Sequence, residues 1–172
     1  MRSLARRCGA GLDAPRYEAL FGHGVLAGRE VALLLPQTFM NESGRSVKAA
    51  LADLPGVDPA RGLIVAYDEL DLPFGRLRLR PRGSSGGQRG MASIIAALGS
   101  EEFARLRFGI GRPGEADGAV DRVLAPFDAE ERAALGERIE RAADAIEHVL
   151  AHGIAAAMDR YNRAEPPPDA AI

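Results

Sequence analysis

Asp68, Glu69 and Asp71 stand in the segment Tyr67-Asp68-Glu69-Leu70-Asp71-Leu72-Pro73, directly after the apolar run Leu63-Ile64-Val65-Ala66. Carboxylates placed together can hold a metal ion. One of them can also orient a histidine and stabilise its protonated form. Ligands of open α/β sheets bind outside the carboxyl ends of the strands, so acids at the end of an apolar strand mark a candidate site. The competing reading is a turn, which Asp-Leu-Pro favours on local grounds. Asp68 is the candidate for chemistry, and Glu69 is expected to be a turn or solvated residue.

Two loops carry further polar groups. Pro36-Gln37-Thr38-Phe39-Met40-Asn41-Glu42-Ser43-Gly44 follows an apolar run and precedes a helical pattern. Asn, Ser and Thr are favoured helix caps. Ser43 would serve as the cap, which frees the Asn41 amide for a ligand. Phe39 either stacks on a base or ribose or joins the core. Gly83-Ser84-Ser85-Gly86-Gly87-Gln88-Arg89-Gly90 opens another helix, and helix N-termini bind phosphate through free backbone N–H groups. The loop lacks the Gly-Lys-Ser/Thr ending of a P-loop and is not a dinucleotide fingerprint.

The remaining reactive groups are sparse. His148 and His152 are four apart, a metal-compatible spacing, but no third ligand is evident. No metal site is expected. His23 lies between Gly22 and Gly24 and is expected in a loop or strand. Cys8 is the lone cysteine, so no intrachain disulfide can form, which fits a reducing cytoplasm.

The elements that must position these groups alternate. A helix is expected to end at Cys8, stopped by Gly9 and Gly11. Strands are expected over 17–27, over Val31 to Leu35 as a buried strand, over Leu63 to Tyr67 as a second buried strand, over Arg76 to Arg80, and over Phe103 to Ile110. Arg76-Leu77-Arg78-Leu79-Arg80 alternates, giving one wet, basic face shared by Arg78 and Arg80. Helices are expected over 43–54, over 88–98 ended by Gly99, and from Asp128, with Glu131 completing a capping pair. That last helix has an apolar stripe of Leu135, Ile139, Ala142, Ile146, Val149 and Leu150 and ends at Gly153. A short final helix follows over 154–162. Strands alternating with helices imply an α/β fold with some parallel pairing. Residues 1–163 are read as one domain and 164–172, rich in proline, as a flexible tail.

At 172 residues, 47% apolar and 27% charged, the composition is that of an ordinary globule. No apolar run approaches the ~18 residues of a membrane span. The basic start, Met1 to Arg7, resembles a transit peptide only briefly and reads better as a helix fragment. The net charge of −2 conceals an asymmetry: residues 76–112 hold eight arginines against two acids, whereas residues 113–172 hold 13 acids against six bases. A basic middle segment suits a phosphate-bearing partner, the alternative being arginines spread over a solvated surface. Arg78, Arg80, Arg82 and Arg89 are the candidate phosphate contacts.

Taken together, Leu34 to Gly44, Asp68 to Pro73, Gly86 to Gly90, Phe103 to Pro113, Val123 to Phe127 and Ala155 to Asn162 resemble the bacterial peptidyl-tRNA hydrolases. The order and combination of these segments carry the likeness, which covers nearly the whole chain. It implies a three-layer α/β/α fold with a mixed, largely parallel central sheet. It also implies a cytoplasmic, monomeric esterase that cuts the bond between peptide and tRNA without a cofactor or metal. In that family a histidine activates water. By the match, Asp68 would orient that histidine, Asn41 would hold substrate and water, and Phe39, with Met40 beside it, would line the groove for the tRNA end. Gly87 is counted with the substrate-binding positions.

The resemblance also brings two departures. The family begins with a strand, a Gly-Asn-Pro-Gly loop and an Arg-His-Asn segment, and the match places Met1 within the helix after them. The first central strand and the histidine base are therefore expected to be absent, and hydrolysis by the chain as written to be poor. The alternative is a noncatalytic RNA-binding relative. Second, the usual Gly-Gly-His-Asn-Gly reads Gly86-Gly87-Gln88-Arg89-Gly90, so Arg89 replaces an asparagine. Arginine can hold a phosphate but cannot accept a hydrogen bond.

Overall fold

The computed structural model describes residues 1–112 and 119–163. In chain order the first half holds α1 (Arg2–Cys8), β1 (Ala14–Arg16), β2 (Ala19–Leu26), β3 (Arg29–Pro36), a 3₁₀ turn (Met40–Glu42), α2 (Ser43–Ala52), α3 (Pro59–Gly62) and β4 (Ile64–Glu69). The second half holds β5 (Leu77–Arg80), α4 (Arg89–Leu98), β6 (Ala104–Gly109), α5 (Ala119–Leu124) and α6 (Ala129–Tyr161). They fall into two compact units, one of residues 1–65 with 81–104 and one of residues 66–80 with 105–172. The proposed tail, 164–172, lies outside the described residues.

In the first unit, β1, β2 and β3 form an antiparallel sheet, with Phe21 opposite Leu34 and Leu20 opposite Leu35. Leu26 and Leu33 turn their side chains into the core, as do Leu4 and Ala5 of α1. α2 and α4 pack closely, since a side chain on Gly44 would stand 2.2 Å from the Ser93 carbonyl oxygen. The Gly44 N–H instead donates to Ser93 Oγ at 2.9 Å. This contact fixes the start of α2, next to the Phe39–Asn41 segment.

In the second unit the strand order is β4-β6-β5. β5 and β6 are antiparallel, with Leu79 opposite Leu106. The Ala104 N–H donates to the Leu63 carbonyl and the Ile110 N–H to the Glu69 carbonyl. Partner numbers rise together, so β4 and β6 run parallel. One face of this sheet is a core of Leu77, Leu79 and Leu106 under Ala145, Ala157 and Tyr161 of α6. α6 opens on the expected capping box of Asp128 and Glu131 and is kinked at Gly153.

The α/β architecture with mixed pairing is what the chain builds. Antiparallel pairs nonetheless predominate among the described residues, and the strands divide between two sheets. Two strands expected to be buried are only partly so: β3 buries Leu33 alone among its leucines, and β4 has no buried residue. Each ends its sheet, so one flank lacks a strand neighbour among the described residues. The α6 stripe also differs, for Ile139 is exposed while Ala143 and Ala145 are buried. Small side chains there let α6 lie close to the strands.

Candidate functional site

The candidate residues of the first unit gather around the start of α2 and the start of α4. β3 ends at Pro36, where the chain turns out into Gln37-Thr38-Phe39. Gln37 Nε2 donates back to the Leu35 and Pro36 carbonyls, at 3.1 and 3.2 Å. Phe39 is 79% exposed and Met40 55%. A large apolar ring held in water is not core packing, so the core reading of Phe39 does not hold. Asn41 is also exposed, and its amide makes no hydrogen bond within the described residues.

Ser43 does not cap α2. The N-cap is Glu42, without a side-chain bond, and Ser43 Oγ donates to the Met40 carbonyl at 2.9 Å. The 3₁₀ turn runs straight into the helix, so Ser43 already lies in the first turn. A serine so placed bonds backwards to a carbonyl.

The glycine loop leads into α4 through Gly86 and Gly87, both at positive φ. Gln88 is the N-cap, its Oε1 accepting from the Met91 N–H at 2.8 Å. Its Nε2 lies 3.6 Å from Met40 Sδ. A Cβ on Gly90 would stand 2.7 Å from that sulfur, so a larger residue there would make the Met40 side chain shift. The structure thus brings Met40 against Gln88 and Gly90, beside Gly87 and Arg89. The sequence does not single out Gln88 as a linking residue; its place one residue before a helix is the available signal.

Arg89 is exposed at the first position of α4, whose first turn holds no acid. A cation there opposes the helix dipole by roughly 0.3–1 kcal/mol. A bound anion would reverse that and use the free N–H groups as well.

The second unit holds Asp68. Asp68 and Glu69 lie inside β4 rather than beyond it. Contrary to the expectation of a solvated residue, the Glu69 side chain is 19% exposed and pairs with Arg107 Nη1 at 3.2 Å. Arg107 lies on β6, a neighbour that the local sequence does not reveal. Glu69 Oε1 also accepts from the Asp71 N–H, at 3.2 Å, which sets the turn. Asp71 itself pairs with Arg112 at 2.9 Å, and both are well exposed. A Cβ on Gly109 would meet the Pro73 carbonyl oxygen at 2.0 Å, so the Leu72-Pro73 chain crosses β6 where no side chain intervenes. Asp68 alone of the three carboxylates has no ion pair or side-chain hydrogen bond within the described residues. Strand alternation points it to the opposite side from Glu69.

The basic segment is partly neutralised. Arg105 is completely buried. Arg76 donates to the carbonyls of Asn162 and Arg163 at the end of α6. Arg82 pairs with Glu102 at 3.4 Å, both exposed. Arg78 is exposed beside Arg107 in register, and Arg80 is half-buried opposite Arg105. Arg78 and Arg80 share a face, as their alternation requires. Among the four phosphate candidates, Arg78, Arg82 and Arg89 are exposed, and of these Arg82 already pairs with Glu102.

His23 lies exposed in β2. The rings of His148 and His152 lie 4.4 Å apart on α6, tilted by 49°. No group of three or more His, Cys, Asp or Glu residues suited to a metal occurs among the described residues. No helix among them is long and apolar enough to cross a membrane.

Residues 1–169 match the profile of the family described as Peptidyl-tRNA hydrolase. A peptidyl-tRNA hydrolase of Chloroflexus aggregans is 49% identical over 162 residues, spanning 94% of this chain and 86% of the relative. One from Roseiflexus castenholzii is 50% identical over 166 residues, 96% of this chain and 77% of the relative. The crystal structure of peptidyl-tRNA hydrolase from Acinetobacter baumannii superposes with a TM-score of 0.84 at 31% identity, covering 96% of this chain and 83% of that one.

Proposed function

The chain belongs to the peptidyl-tRNA hydrolase family, and on that premise we propose that it hydrolyses the ester between a peptide and the 3′ ribose of tRNA, returning tRNA from stalled or aborted translation. The observation that carries this reading is Asp68: among the described residues it is the one acid of the Asp68 to Pro73 segment without an ion pair, while Glu69 and Asp71 each have an arginine. A carboxylate in that state is available to orient a general base.

The roles follow from chemistry. Water attacks the acyl carbon and gives its proton to the base. The ribose oxygen then leaves with a proton as the ester C–O bond breaks. Asp68 would hold the base in one tautomer and favour its charged form. The exposed Asn41 amide would bind substrate and water. Phe39 and Met40 would receive the unpaired bases of the tRNA end, because base–aromatic stacking needs an open ring. Arg89 and Gly87, at the positive end of α4, would take a phosphate, and Arg78, Arg80 and Arg82 further phosphates. The same reading makes the protein a cytoplasmic monomer.

Asp68 makes no hydrogen bond to a histidine within the described residues. General-base catalysis contributes ~10²–10⁴-fold, so without a histidine on Asp68 cleavage should be slow. This same observation favours the second reading, a noncatalytic RNA-binding relative. A filter-binding and peptide-release experiment on one preparation separates the two. Binding with slow, Asp68-dependent release supports the hydrolase, and binding without release supports the relative.

A further inference from the structure

The hairpin joining β1 to β2 is strained and sits against the start of the Gln37–Asn41 loop. Arg16 pairs with Ala19, leaving Tyr17 and Glu18 as a two-residue turn. Their φ values are 58° and 54°. Such turns favour Asn-Gly, because both positions need a left-handed backbone. A residue other than glycine or asparagine is strained there, and this turn holds two of them.

The Tyr17 side has visible compensation. Tyr17 Oη donates to Asp53 Oδ2 at 3.1 Å, and its ring meets Phe21 edge-on at 5.4 Å. The Arg16 guanidinium lies 4.9 Å from the Tyr17 ring centre. Loss of solvent and the Asp53 carboxylate both push the Tyr17 phenol above its usual value, so it remains a donor.

Glu18 is different. Its carboxylate accepts from Arg45 Nη2 at 2.7 and 2.9 Å, and Arg45 Nη1 reaches Glu42 at 3.3 Å. Glu18 and Arg45 are 55% and 60% exposed. An ion pair so exposed contributes little to stability, which does not offset the strain. The Glu18 carbonyl accepts from the Gln37 N–H at 2.9 Å and from Ser46 Oγ at 3.3 Å. Glu18 therefore holds Gln37, where the loop begins, and, through Arg45, Glu42, where the 3₁₀ turn ends. Strained residues persist where surrounding contacts over-determine them, and they cluster at functional sites.

We propose that Glu18 is a positioning residue for substrate recognition: its left-handed backbone aims a carbonyl and a carboxylate at the two ends of the Phe39–Asn41 segment and fixes that segment for the tRNA 3′ end. The inference rests on the proposed role of Phe39–Asn41 for its link to RNA, and on geometry alone for the clamp.

The test uses the full chain and the variants Glu18→Gly and Arg45→Met. Glycine relieves the strain, so Glu18→Gly should melt no lower than the parent. A contact that served stability alone would show nothing more. The clamp instead requires backbone amides of residues 38–42 to exchange with deuterium several-fold faster in both variants, while those of α2 beyond Val47 stay protected. Affinity for an RNA hairpin ending in single-stranded CCA should fall several-fold, and Glu18→Gln, which keeps one acceptor for Arg45, should recover part of it. Unchanged exchange in Glu18→Gly overturns the clamp. Faster exchange with unchanged RNA affinity overturns its role in recognition. Failure of the parent itself to bind the hairpin would defeat the functional reading instead, and the exchange result would still judge the clamp.

Discussion

Arg107 Nη1 stands 3.2 Å from Glu69 Oε2, with both side chains largely covered. That contact separates two neighbouring carboxylates of β4: Glu69 is tied to the sheet, and Asp68 is the one we propose for chemistry. Glu69→Gln should lower unfolding free energy by about 1.5–3 kcal/mol, the range for a hydrogen bond to a charged group. Asp68→Asn should stay within about 0.5 kcal/mol of the parent. Urea unfolding of the two variants measures both, and equal losses would remove the distinction.

Binding to tRNA should weaken steeply with salt. Glutamine in place of Arg78, Arg80 or Arg89 takes away one proposed phosphate contact each time, and each replacement should flatten the log–log slope by roughly 0.7–0.9. Arg82 already has Glu102 as a partner, so its replacement should matter less. Glu102→Gln should tighten binding at low salt by releasing that arginine. A salt titration of all five variants that gave one common slope would reduce the basic segment to a solvated surface.

Asn162 acts as a stand-in strand on β5. Its Oδ1 accepts from the Leu79 N–H at 2.7 Å and its Nδ2 donates to the Leu79 carbonyl at 3.0 Å. Asn162→Ala leaves a donor and an acceptor unsatisfied, at about 1–3 kcal/mol for such a buried group. The loss should appear as a lower denaturation midpoint with the m-value unchanged.

His148 sets an acid limit on the second unit. Loss of solvent, then the charges of His152 and Arg160, hold its pKa below the usual 6.5. Between the folded and unfolded values the unfolded chain binds more protons, so stability rises with pH across that window. The contribution is complete above about 6.5 and is lost as pH falls through the folded value. Melting scans from neutral to mildly acid pH should show this slope reduced in His148→Gln.

The sequence made the local devices plain, because each depends on near neighbours. Asp128 and Glu131 cap α6, Gly99 ends α4, and Leu77 and Leu79 alternate inward from Arg78. What it hid were side chains whose partners are far along the chain. Glu69 looks like a turn residue until Arg107, on another strand, is placed beside it. Asn162 looks like the end of a helix until Leu79 is seen 83 residues away. The left-handed Tyr17-Glu18 turn has no glycine or asparagine to announce it, so only the paired register of β1 and β2 reveals it. Half-burial of β3 and β4 was likewise invisible, since an apolar run does not say which strand ends a sheet.

The most direct test is release of an N-acetylated aminoacyl group from tRNA by residues 1–172, followed with and without imidazole in solution. The expected result is slow release alone, faster release when imidazole supplies the base, and loss of that stimulation in Asp68→Asn. Tight tRNA binding with no release in either condition would contradict an ester-cleaving site at Asp68.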